Sequence, residues 1–125
     1  VTQIHSASRR DHYRPVSGGA KMSSPTQPET YVITFHVFPD QVSRFRALLD
    51  PVLDAMRHEQ TFVRSTLHVD PERRNVFQLH ETWTDRENVL NVQLNRPYRA
   101  AWHENLDALL VEPRHVAIWT VARSD

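Results

Sequence analysis

Not one of the 125 residues is a cysteine. Disulfides, thiolate metal sites and cysteine nucleophiles are therefore excluded, and the composition fits a reducing cytoplasm. Net charge is lacking too, since 15 Lys and Arg offset 15 Asp and Glu. With no long basic run either, a nucleic-acid partner is not expected. No apolar run approaches the roughly 20 residues that span a bilayer, and the first residues lack the apolar stretch of a secretory signal. A membrane partner is not expected. Glycine occurs only twice, at Gly18 and Gly19, inside the polar segment that opens the chain.

What is present fits one domain with one core. Residues 1–30 show no apolar periodicity and read as a flexible tail, within which Met22 is a candidate natural start. Residues 31–125 carry the domain. YVITFHVF, Tyr31 to Phe38, alternates Tyr31, Ile33, Phe35 and Val37 against Val32, Thr34, His36 and Phe38, which predicts a strand with two largely apolar faces. After Pro39, Asp40 is a candidate helix cap. The stripe Val42, Phe45, Leu48, Leu49, Val52, Leu53 and Met56 then predicts a helix with one buried face, kinked or split near Pro51.

TFVRSTLHV, Thr61 to Val69, and NVFQLHETW, Asn75 to Trp83, flank a turn that opens with Asp70-Pro71, so they predict an antiparallel hairpin. Thr84 and Glu87 have capping-box spacing, which starts a helix directly after Trp83. Asn95-Arg96-Pro97 interrupts that helix before a second stripe of Tyr98, Ala101, Trp102, Leu106, Leu109 and Leu110, and Pro113 ends it. Arg114 to Ala122 is a last strand. The order β-α-β-β-α-β folds, by the crossover rule, into an α+β ferredoxin-like domain: a four-stranded antiparallel sheet in order 4-1-3-2, helices on one face. Its second face carries an apolar set in the first and last strands, and a homodimer packed sheet to sheet would cover it.

Several side chains are candidates for chemistry. Glu81 and Trp83 leave one strand on the same face, and a carboxyl turned toward the helices needs a partner or becomes a base. The alternatives are a plain salt bridge for Glu81 and a packing wedge for Trp83. His36 and His80 come within diagonal reach if His36 lies opposite Gln78. A metal would want His68 or His115 as a third ligand from the edge strands, and no metal site is expected. Tyr98 and Trp102 share one face of the final helix, with His103 in the adjacent row.

Ser65-Thr66-Leu67-His68, the strand ending Glu81-Thr82-Trp83, the helix start Trp83-Thr84-Asp85-Arg86-Glu87 and the Asn95-Arg96-Pro97 break together resemble the antibiotic biosynthesis monooxygenase family of dimeric α+β barrels, over residues 31–122. The resemblance implies cofactor-independent oxygenation of a small aromatic, quinol or anthrone-like substrate by O₂, with no flavin or metal. It implies a catalytic set of Trp83, His68 and Glu81, with His68 matching the family's S-x-x-H pattern. The implied cavity is lined by Phe35, Leu79, Val89, Tyr98, Trp102 and His103. In the branch acting on aromatic polyketides an asparagine stands where this chain has Leu79 and a tyrosine near Val89. The helix histidine of the quinol-oxidising branch is replaced, Asn91 and Gln93 lying in that neighbourhood. The haem-degrading relatives give the alternative, His103 with Trp83 beside a haem. A ligand-binding barrel without turnover is the other.

Overall fold

The computed structural model describes residues 27–125. Most of the expected tail, residues 1–26, lies outside the described residues, whereas Glu29 and Thr30 already belong to the first strand. The elements are β1 (Glu29–His36), α1 (Val42–Met56), β2 (Phe62–Val69), β3 (Val76–Trp83), α2 (Arg86–Asn91), α3 (Ala100–Leu109) and β4 (His115–Thr120). Short 3₁₀ turns precede α1 and fill the α2–α3 connection. The strands form one antiparallel sheet in the order β2-β3-β1-β4, which is the expected α+β ferredoxin-like topology read from the other edge.

Strand alternation sorts the side chains. Tyr31, Ile33 and Phe35 of β1 meet Leu79, Phe77 and Val116 on the helix side, and all are buried. Phe45 of α1 is the hub of this core. Its ring lies 5.1 Å from Phe35, 4.8 Å from Phe77 and 5.6 Å from Trp102 of α3, so one aromatic locks a strand pair and two helices together.

Four local expectations change. Asp40 does not cap α1: it sits within the 3₁₀ turn Pro39–Gln41, and no side chain caps either start. Pro51 does not divide α1, which runs unbroken over 15 residues. Pro51 and Ala47, whose carbonyl loses its i+4 donor, are both exposed, so water serves that carbonyl and the cost stays local. The cap of α2 is Asp85 rather than Thr84, its Oδ1 accepting from the Asn88 N–H at 3.1 Å. Thr84 is still held by the sheet, its N–H donating to the Thr61 carbonyl at 2.9 Å, so the helix starts one residue later. Finally, His36 pairs with Val76 and His80 with Val32, four residue pairs apart, or about 13 Å along the strand. The two histidines do not meet.

With no glycine among the described residues, turns rely on other chemistry, and no described residue has positive φ. In the β2–β3 hairpin Asp70 Oδ1 accepts from the N–H groups of Glu72 and Arg73 at 2.8 and 3.1 Å, closing the bend with a side chain. A bulge between Phe62 and Arg64 resets the alternation of β2. Phe62 is thereby turned inward against Trp83, with ring centroids 5.4 Å apart.

Candidate active site

A pocket lies between the helix side of the sheet and the α2–α3 layer. Its free space, mouth included, is about 490 Å³. Tyr31, Ile33 and Phe35 of β1, with Leu79 and Glu81 of β3, form the floor. Val89 of α2, Leu94, Arg99, Trp102 and His103 form the roof, and Arg114 and Val116 close the β4 side.

Alternation delivers Glu81 and Trp83 to this side of β3, and both are buried. The indole Nε1 of Trp83 donates to Glu81 Oε1 at 2.9 Å. The Glu-x-Trp pair is thus a single unit: the tryptophan is wedged against Phe62 and aims the carboxyl, while Glu81 lines the pocket and Trp83 does not. The hydrogen bond occupies one carboxylate oxygen, which leaves Oε2 as the oxygen available to a bound molecule.

Beside Glu81 across the strand pair stands Tyr31. Its hydroxyl is buried without a hydrogen-bond partner, and burial, reinforced by Glu29, pushes the phenol above its ordinary pKa. Tyr31 therefore stays a proton-bearing donor that points at no protein acceptor. His103 is driven the other way: burial is the largest cause, the positive charges of Arg114 and Arg99 are among the others, and together they lower it to about 4. A neutral imidazole faces the pocket at neutral pH.

Arg99 and Arg114 are 5% and 7% exposed, and the Nε of each lacks a hydrogen-bond partner. Burial, with Arg99 also opposing, lowers Arg114 to about 10 against the pull of Glu81 and Asp107, so it remains a cation at neutral pH. Tyr31, Arg99 and Arg114 were not among the candidates from sequence, although the signal was there. Arg99 is in phase with Trp102, Leu106 and Leu109 on the buried stripe of α3, and Arg114 shares the alternation of Val116.

Of the expected lining residues, Phe35, Leu79, Val89, Trp102 and His103 come together here. Tyr98 does not line the pocket; its hydroxyl donates to Glu59 Oε2 at 2.9 Å, and burial followed by that bond raises it to about 12. Glu59 also accepts from Arg96 Nη2 at 2.9 Å and Gln93 Nε2 at 3.3 Å. Burial opposes ionisation of Glu59, but these three hydrogen bonds outweigh it and lower its pKa. The carboxylate so pins the α2–α3 connection, which carries the pocket roof, to the segment after α1. His68 is placed elsewhere. It is exposed on the opposite sheet face, where its ring lies 5.1 Å from that of His80. The haem alternative pairs His103 with Trp83, and of these two only His103 reaches the pocket. Among the described residues no group of three or more His, Asp or Glu is placed to hold a metal ion.

The family model for antibiotic biosynthesis monooxygenase matches residues 29–105. A Pestalotiopsis microspora protein provisionally named a monooxygenase is 26% identical over 99 residues, covering 78% of this chain and 82% of that protein. A Nitrosomonas europaea structure provisionally named an antibiotic biosynthesis monooxygenase superposes with a TM-score of 0.73 at 14% identity, covering 81% of this chain and 96% of its own. The Mycobacterium tuberculosis protein Rv0793 gives a TM-score of 0.65 at 26% identity, covering 78% and 96%. With a family match over more than half its length, spanning the first three strands and reaching into α3, the chain belongs to the antibiotic biosynthesis monooxygenase family.

Proposed function

We propose that the domain is a cofactor-independent monooxygenase that oxidises a small phenolic, quinol or anthrone-like aromatic with O₂. The observation that carries this reading is the buried Glu81 carboxyl, held by the Trp83 indole at a pocket whose floor is otherwise Tyr31, Ile33, Phe35 and Leu79. Glu81 Oε2 takes a proton from the substrate, and the resulting phenolate or carbanion is favoured by donors already in place: the Tyr31 hydroxyl and the two guanidiniums. The anion passes one electron to O₂, and the substrate radical and superoxide combine into a C–O bond as a peroxide. Loss of water from the peroxide then gives the carbonyl, so that R₂CH₂ and O₂ become R₂C=O and H₂O. The apolar floor of Ile33, Phe35 and Leu79 stacks the ring and limits water.

Two further features belong to the same reading. The open sheet face is covered by a second copy of the chain, with Trp119, 62% exposed on the edge strand β4, as part of the contact. The protein works in the cytoplasm, in keeping with its lack of cysteine; among the described residues no helix is long and apolar enough to cross a membrane. The test is oxygen consumption on a panel of quinols and anthrones. Turnover that falls by about 10²-fold or more in Glu81→Gln supports the assignment of the base. No uptake with any member of a broad panel, or full activity in the variant, overturns it.

A further inference from the structure

The polar lining of the pocket is unbalanced. Two guanidiniums, Arg99 and Arg114, face it against one carboxyl, Glu81. Arginine is seldom buried to this degree without a paired anion, because removing the charge from water costs several kcal/mol unless hydrogen bonds and an opposite charge replace the hydration. Neither arginine forms an ion pair among the described residues, and each keeps a buried Nε–H without an acceptor. Glu81 acts on Arg114 without forming an ion pair with it, and its single negative charge does not offset two guanidiniums. Tyr98 offers the Arg99 guanidinium its ring at 5.9 Å and its neutral hydroxyl as a hydrogen-bond partner, neither of which supplies an opposite charge or reaches the buried Nε. The third donor, Tyr31 Oη, is buried and unpartnered as well. The pocket therefore presents three buried donors that lack an acceptor, two of them cationic.

We propose that the natural ligand enters this pocket as a preformed anion, an aromatic or enolic carboxylate whose carboxylate is held by Arg99 and Arg114. A carboxylate accepts two parallel N–H bonds from a guanidinium fork, which is the contact the free Nε atoms offer. The backbone spaces the two tasks. Arg114 directly precedes His115, which is paired with Thr34, whereas Glu81 is paired with Tyr31, so the arginine and the carboxyl enter the pocket from levels about four residue pairs apart along β1. One ligand can then be anchored at its acidic substituent near the arginines and deprotonated at another position near Glu81. His103, its pKa lowered to about 4 and its ring therefore uncharged at neutral pH, adds a hydrogen-bonding group without adding charge to the cluster.

This rests on the pocket being the substrate site but not on oxygenation. The test is isothermal titration calorimetry, without oxygen, of the full chain with 2-naphthoate and its neutral isostere 2-naphthamide. The expected result is at least about tenfold tighter binding of the carboxylate, the scale of one charge-assisted hydrogen bond. That preference should vanish in Arg114→Gln and shrink in Arg99→Gln, and Arg114→Lys should restore part of it. Equal affinity in the wild type, tighter binding of the amide, or no naphthoate binding up to millimolar concentration overturns the proposal without recourse to any variant. A carboxylate preference with no oxygen uptake on any substrate sinks the monooxygenase reading alone. Rapid oxygen uptake on neutral anthrones with no such preference sinks this one alone.

Discussion

The two faces of the sheet are written by the same strands and have opposite characters. On the helix side, β3 contributes Phe77, Leu79, Glu81 and Trp83, all buried, with Glu81 and Trp83 fastened to each other. On the other side the same strand contributes Val76, Gln78 and His80. There His80 bonds Gln78 Oε1 at 2.8 Å, Gln78 Nε2 donates to Thr34 Oγ1 at 3.2 Å, and His68 stacks edge-on against His80. Period-two alternation separates them, so two histidine-bearing neighbours of the Glu-x-Trp unit are kept out of the pocket by one peptide's rotation. Proximity in sequence to a candidate base does not make a residue part of its site.

If the inner face carries the stability, Phe45→Ala should cost about 3–5 kcal/mol in urea unfolding, because its ring bridges both helices and two strands. On the open face Thr66→Ala should change stability by less than about 0.5 kcal/mol. Similar values for the two would erase the contrast. The Trp83→Phe variant sharpens it within the inner face. Losing the indole N–H leaves Glu81 Oε1 buried without its donor, for a cost of about 1–3 kcal/mol. Oxygen uptake should drop by about tenfold as the carboxyl loses its aim, whereas His68→Ala should leave uptake unchanged. An activity loss in His68→Ala would show that the open face reaches the chemistry.

Replacing Asp85 by Ala removes the cap of α2 and should cost about 1 kcal/mol, read by thermal melting, with no change at the open face. A further effect concerns acid. His103 has a folded pKa near 4 against an ordinary 6.5. Between these values the unfolded chain binds a proton that the folded chain refuses, so stability is lost as pH falls from 6.5 toward 4. His80 is lowered in the same direction, by burial and by His68, and contributes to that loss from the other face. Melting temperatures of His103→Gln should therefore fall less steeply between pH 6.5 and 5 than those of the wild type. Parallel slopes would mean that His103 is not held neutral by the pocket.

Most of the architecture was legible in sequence because it rests on periodicity. The stripe from Val42 to Met56 gave the bounds of α1, and the alternation in FQLHETW put Glu81 and Trp83 on one face of β3. Misreadings arose where a single residue's partner lies far along the chain. Thr84 looks like a cap until Thr61 is seen to hold it in the sheet. The His36–His80 pairing required a register that no local pattern fixes, and the bulge that turns Phe62 inward has no marking glycine. Glu59 gave no hint of its role, since its partners Tyr98, Arg96 and Gln93 are more than 30 residues away.

By itself the sequence determined the class of fold, that Glu81 and Trp83 share one face of their strand, and the exclusion of thiol chemistry, because each follows from local composition or from a period of two or 3.6 residues. Only the tertiary structure decided that Trp83 aims Glu81 instead of lining the pocket, that His68 lies on the far face, and that Arg99 and Arg114 meet in one cavity. Those outcomes depend on register and on how α3 docks between β1 and β4. Such long-range geometry is set by packing of the whole core, so no stretch of sequence carries it alone.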